Sequence, residues 1–74
     1  MAPLKTKTID IVVNGDTRSV PSGLFLDDLL RHLEVDPSKV AVELNREIVR
    51  KTLWNRTAIG SGDKLEVVQF VGGG

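Results

Sequence analysis

The sequence predicts an α+β fold, a mixed β-sheet covered by one main α-helix, in a single small domain. Three observations predict it. Residues 8–20 alternate between apolar and polar on either side of Asn14-Gly15. At Leu26 the apolar spacing changes to i, i+3, i+4, i+7, through Leu29, Leu30 and Leu33. Near the end, Lys64–Val71 returns to alternation and is followed by Gly72, Gly73 and Gly74. The domain is expected to occupy residues 8–70, between a flexible N-terminal arm at 1–7 and a flexible tail at 71–74.

Each element follows from local chemistry. Ile9, Ile11 and Val13 fall on one face of the first strand, and Thr8, Asp10 and Val12 on the other. Asn14-Gly15 supplies the positive φ angles of a tight hairpin turn, so Thr17–Val20 is the return strand. Pro21-Ser22-Gly23 breaks it. The helix opens with Asp27 and Asp28 in its first turn, where the backbone dipole favours negative charge. The residue before Leu26 is Phe25, a poor N-cap, and nothing local accounts for how the helix start is satisfied. Asp36-Pro37-Ser38 is expected to end the helix. "VAVELNREIV" reads as a strand, a turn and a short strand, with Val40, Val42 and Leu44 sharing a face. "KTLWNRTAIGSGDK" reads as mostly irregular, anchored by Leu53, Trp54 and Ile59. In the last strand Leu65 and Val67 alternate with Glu66 and Val68.

The first and last strands both carry dense β-branched residues, which suits neighbouring central strands with the helix packed over one face. Hairpin, helix, strand pair, loop and final strand is the order of the ubiquitin-like β-grasp. With 74 residues there is room for one core and a stability of about 4–11 kcal/mol. The absence of cysteine excludes a disulfide framework, a thiolate metal site and a thiol nucleophile. Ten basic residues balance ten acidic ones, so no general attraction to nucleic acid or anionic membrane is expected. "MAPLKTKT" lacks the apolar stretch of a secretory signal, and a cytoplasmic location is expected.

"VNG" (13–15), "VPSGLFLDDLL" (20–30), "VAVELNREIV" (40–49), the Trp54 segment and "GDKLEVVQFVGGG" (62–74) form a set that covers most of the chain. Together these segments resemble the small sulfur carriers of thiamine biosynthesis, the ThiS family. Residues 1–8 fall outside the likeness, and Phe25 stands where such carriers often have a threonine helix cap. The resemblance implies a cosubstrate, not an enzyme. A partner adenylating enzyme of the ThiF/MoeB type uses ATP and magnesium to activate the terminal carboxylate, here that of Gly74. A sulfurtransferase supplies the sulfur that makes it a thiocarboxylate, and a thiazole synthase of the ThiG type receives it. Gly73 is the second residue of the reacting pair, and Gly72 adds reach.

The residues themselves suit that chemistry. A carboxylate is a poor electrophile until its charge is masked, and a nucleotide cap both masks it and provides a leaving group. "VNGDTRSVPSG" lacks the glycine spacing and lysine of a phosphate loop, so this chain is expected to bind no cofactor itself. Activation then happens in a partner's pocket, which the tail must enter. Glycine has no side chain to clash in a narrow channel. Val71–Gly74 can extend about 14 Å. Val68 and Phe70 fall on the sheet face opposite Leu65 and Val67, where apolar residues beside the tail would dock the partner. Glu43, Glu66 and Asp10 would give that face an acidic rim. The partner-binding set is thus Val68, Phe70, Val71, Gly72 and Glu43.

Other features have simpler readings. Trp54 is a core lid and His32 a residue of the helix's polar face, with no ligand spacing around it. Asp27 and Asp28 point about 100° apart on a helix and are not a catalytic pair. Arg46, Arg50, Lys51 and Arg56 read as a solvated basic face. The free chain is expected to be a monomer. Three alternatives to the thiamine carrier remain open at this level. They are a carrier of another pathway, such as the small subunit of molybdopterin synthase, a ubiquitin-like protein modifier, and an interaction module with an idle tail.

Overall fold

Strands β1 (Thr8–Val13) and β2 (Asp16–Pro21) form the antiparallel hairpin that Asn14-Gly15 predicts. The computed structural model, which describes residues 7–70, gives both turn residues a positive φ, 49° at Asn14 and 86° at Gly15. Such a turn has the twist of the strands it joins. A second turn of this kind, Asn45-Arg46, joins β3 (Val40–Leu44) to the two-residue β4 (Glu47–Ile48). Strand β5 (Lys64–Gln69) runs parallel to β1 on one side and antiparallel to β3 on the other. The sheet order is β2-β1-β5-β3-β4, with the first and last strands side by side at its centre. This is the mixed sheet with one main helix that the sequence predicts, the ubiquitin-like β-grasp. The ends assigned to 1–7 and 71–74 lie outside the described residues, except Lys7. Its carbonyl accepts the Ser22 N–H at 2.8 Å, so the hairpin is closed one residue before β1.

Helix α1 (Leu26–His32) lies over one face and contributes Leu26, Leu29 and Leu30, all fully buried. They join Ile11, Val20, Val42 and Leu65 from the sheet in one apolar core. No helix among the described residues is long and apolar enough to cross a membrane.

Both ends of α1 are settled by contacts that the local sequence hides. The Phe25 N–H reaches Asp28 Oδ2 at 3.4 Å, but a phenyl ring accepts nothing in return, so only half of a capping box forms. The Leu26 N–H is instead satisfied by the Thr57 carbonyl at 2.8 Å, and the Asp28 N–H by Asp27 Oδ1 at 2.9 Å. At the other end the expected stop at Asp36-Pro37-Ser38 is too late. The chain leaves the helix at Glu34, which has φ 62°. The Glu34 and Val35 N–H groups turn back to the Arg31 and Leu30 carbonyls, at 3.0 and 2.9 Å. This is a Schellman stop with glutamate where glycine is usual. Asp36 then caps a separate 3₁₀ turn, Pro37–Lys39.

Glu34→Gly is therefore expected to stabilise the fold by about 0.5–1 kcal/mol, the left-handed strain relieved less the added freedom of the unfolded chain. A urea midpoint that falls in this variant would show that the glutamate side chain contributes more than its backbone costs.

The connection from β4 to β5 holds a second 3₁₀ segment, Lys51–Arg56. Trp54 and Ile59 anchor it as expected, and both are buried. The Trp54 Nε1–H donates to the Val49 carbonyl at 2.9 Å, so the indole enters the core without an unpaired donor. Leu53 is a correction, since it is 44% exposed. With three residues per turn, Trp54 shares its side with Lys51 and Thr57, and Leu53 points about a third of a turn away.

Candidate functional site

The described part of the site is the end of β5 and the sheet face that α1 leaves open. Along β5, Leu65 is buried and Val67 packs against the core, so Glu66, Val68 and Phe70 project from the opposite face. Val68 is 57% and Phe70 59% exposed, as the alternation predicts. Phe70 does not pack under the 3₁₀ loop. Register then assembles the neighbours. Val68 lies opposite Ala41, and Glu66 opposite Glu43. The Phe70 N–H donates to the Lys39 carbonyl at 2.8 Å, which continues the β3–β5 ladder by one residue.

Ile48 belongs to this face too, and sequence reasoning passed over it. It pairs with Glu43 across the β3–β4 hairpin and is 76% exposed. The signal was present. A two-residue turn at Asn45-Arg46 places Leu44 opposite Glu47 and Glu43 opposite Ile48, so Ile48 must share the face of Glu43. The face thus carries Ile48, then Glu43 and Glu66, then Val68 and Phe70 towards the end of the described chain.

Its electrostatics are set by that register. Glu43 and Glu66 are direct cross-strand partners, an arrangement of like charges that costs stability. The ion pairs among the described residues are those of Arg31 with Asp27 and Asp28, at 3.4 and 3.0 Å, so neither sheet carboxylate is in an ion pair, although Lys64 is exposed on the same face two residues before Glu66. A cationic group on a docked partner would relieve the repulsion while Ile48, Val68 and Phe70 lose water. Asp10, exposed on the same face of β1, extends the acidic rim.

The end of β5 is held from both sides. On the β3 side, the carbonyl that receives Phe70 belongs to Lys39, in the turn capped by Asp36. Asp36 Oδ1 accepts the Ser38 hydroxyl at 2.7 Å and the Ser38 N–H at 3.0 Å. These bonds, the hydroxyl first, hold the Asp36 carboxyl below the ordinary carboxylate value. On the β1 side, Asn14 Oδ1 accepts the Val67 N–H at 2.7 Å, and Asn14 Nδ2 donates to the Val67 carbonyl at 3.2 Å. Val71, Gly72, Gly73 and Gly74 lie outside the described residues.

The remaining candidates are spread elsewhere. His32 is exposed on α1, and Asp27 and Asp28 spend their charge on Arg31. Arg50, Lys51 and Arg56 are exposed at the 3₁₀ segment and Arg46 in the β3–β4 turn, and the Lys51 ammonium stands 5.6 Å from the centre of the Trp54 ring.

The family model described as "ThiS family" matches residues 7–74. The chain belongs to the ThiS family. A sulfur carrier protein ThiS from Bacillus subtilis is 37% identical over 49 residues, which is 66% of this chain and 74% of that one. The crystal structure of a thiamine biosynthesis protein (ThiS) from Geobacter metallireducens aligns with a TM-score of 0.78 at 33% identity, covering 89% of this chain and all of the other. These likenesses place the ThiS chain among sulfur carriers, in a thiamine context. A thiazole synthase from Paramagnetospirillum magneticum is 47% identical over 64 residues, 86% of this chain. The ThiS chain spans only 20% of that relative's length, so a ThiS-like segment occurs there within a longer protein.

Proposed function

We propose that this chain is a sulfur carrier whose Gly74 carboxylate is adenylated by a ThiF/MoeB-type partner and then converted to a thiocarboxylate for thiazole synthesis. The observation that carries the reading is the placement of two exposed apolar residues, Val68 and Phe70, at the end of a central strand that leads directly into Gly72–Gly74. A body that docks there presents its last residues to whatever pocket lies beyond. Family membership supports the sulfur chemistry. The ThiS-like segment inside a thiazole synthase supports that class of enzyme as the acceptor.

The steps balance without a catalytic group on this chain. A carboxylate oxygen of Gly74 attacks the α-phosphorus of ATP, and magnesium pyrophosphate leaves. A persulfide sulfur of the sulfurtransferase then attacks the acyl carbon and AMP leaves, and a thiol cleaves the S–S bond of the resulting acyl disulfide, taking the sulfurtransferase sulfur into a new disulfide and releasing the Gly74 thiocarboxylate. The carrier supplies reach, an unhindered glycine and a docking face. ATP, magnesium and the proton transfers belong to the partner.

Intact-mass measurement after incubation with the adenylating enzyme, a sulfurtransferase, a sulfur donor and ATP tests the reading. A mass increase equal to replacing one oxygen by sulfur, mapped to Gly74, is the expected result. A chain that stays unmodified while a known carrier is converted in the same mixture would refute it. Linkage of the chain to lysines of other proteins would favour the modifier instead.

The docking face makes its own prediction. Phe70→Ala should weaken binding to the adenylating enzyme by about 30-fold or more, because an aromatic anchor beside the reacting segment is lost. Its thermal stability should change little, since the ring is exposed in the free protein. Unchanged affinity by calorimetry would remove Phe70 from the interface.

A further inference from the structure

The Asn14 side chain does what a strand residue would do. On the β1 side of β5, the Val12 N–H donates to the Asp63 carbonyl and the Asn14 N–H to the Leu65 carbonyl, both at 2.9 Å. The main-chain pairing of β1 then stops, because the hairpin turns at Asn14-Gly15. The next residue of β5 with that orientation is Val67. Its N–H and C=O are both taken by the Asn14 carboxamide, at 2.7 and 3.2 Å. A carboxamide has the donor and acceptor of a peptide group, so Asn14 extends the parallel ladder by one rung with no further chain. Gln69, the next residue of that orientation, lies past the end of β1. Among the described residues, the amide of Asn14 is therefore the last fixed point on this side of the strand.

The geometry points to Asn14 as a positioning residue that sets the direction in which the reacting end leaves the domain. This inference rests on the carrier reading above. From Val67 to Gly74 is seven residues, a reach of about 24 Å when extended. A pivot of β5 about its β3 partner, at Val67, displaces everything beyond it. Misplacement of a reacting atom by about 1 Å can cost about 100-fold in rate. Asn14 touches neither nucleotide nor carboxylate, so its effect is on alignment.

The residue's other duty must be kept separate. Asn14 has φ 49°, which the turn requires, and alanine there would strain the hairpin. Asn14→Gly keeps the turn and deletes the amide. Asn14→Asp keeps the turn and the acceptor for the Val67 N–H, but replaces the donor to the Val67 carbonyl by a second acceptor. Amide hydrogen exchange is measured in all three proteins, together with ATP–pyrophosphate exchange by the adenylating enzyme well below the melting temperature. The expected result is Val67 amide exchange accelerated by about 10-fold or more in Asn14→Gly, with the core amides little changed. The kcat should fall by about 10-fold or more, with KM for the carrier within about 2-fold, and Asn14→Asp should lie between. A purely structural role would lower the melting temperature and leave kcat alone. Wild-type kcat in a folded Asn14→Gly protein overturns the inference while the carrier reading stands. A wild-type chain that supports no pyrophosphate exchange overturns the carrier reading, and this inference with it. Unaltered Val67 exchange in Asn14→Gly overturns the clamp whatever the partner does.

Discussion

Removing Gly74 is expected to abolish adenylation and thiocarboxylate formation without unfolding the protein. The truncated chain still ends in a glycine carboxylate, on Gly73, so the charge and the kind of nucleophile are retained. Only reach is lost, by about 3.5 Å. Attack on the α-phosphorus needs the reacting atoms about 3–3.5 Å apart, and a shortfall of one residue exceeds the misplacement that already costs about 100-fold. The core residues lie between Ile11 and Leu65, far from the deletion in sequence, so the denaturation curve should hardly move. The measurement is ATP–pyrophosphate exchange with the adenylating enzyme, alongside urea denaturation. Exchange at the full-length rate would mean that adenylation does not depend on the reach that Gly74 supplies.

Leu29→Ala and Leu65→Ala are each expected to destabilise the domain by about 2–5 kcal/mol. Both side chains are essentially inaccessible to water, one on α1 and the other on β5, in the single core between helix and sheet. A protein of 74 residues has a total stability of about 4–11 kcal/mol, so either change removes a large part of it. Leu65 carries a second consequence. It is itself the partner of Val13 in the parallel pairing and lies two residues before Val67, so a cavity there loosens the strand that leads to the reacting end. Leu29 lacks that connection. At equal loss of stability, Leu65→Ala should therefore impair pyrophosphate exchange more than Leu29→Ala. Urea midpoints unmoved by both substitutions would mean that the two faces are wrongly assigned.

Much of the fold was legible because its signals are local or periodic. Asn14-Gly15 carries its turn chemistry in two residues. The switch from alternation to helical spacing at Leu26 needs only a count along the chain. The β-branched density of the first and last strands follows from their central place in the sheet. The open face was legible for the same reason: if Leu65 and Val67 face the helix, Val68 and Phe70 cannot. Ile48 was equally open to counting, through the register of its hairpin.

The sequence by itself thus determined the element order, the central strand pair, the core-facing residues of α1 and β5, and the apolar pair that precedes the glycines. Each depends on side-chain periodicity or on the φ preference of a single residue. What only the tertiary structure decided is how polar backbone groups are satisfied where local chemistry fails. The start of α1 borrows the Thr57 carbonyl, 31 positions from Leu26 in the chain. The helix stops at Glu34 because two N–H groups find carbonyls in the last turn, although no glycine marks the place. Leu53 faces solvent because the 3₁₀ segment commits Trp54 inward. The end of β5 is held by Asn14, 53 residues away, through a side-chain amide that stands in for a peptide bond. The Thr57 and Asn14 bonds join segments far apart in the chain, so no spacing rule foretells them. They are chosen when the core brings distant segments together and leaves each buried N–H and C=O to find a partner.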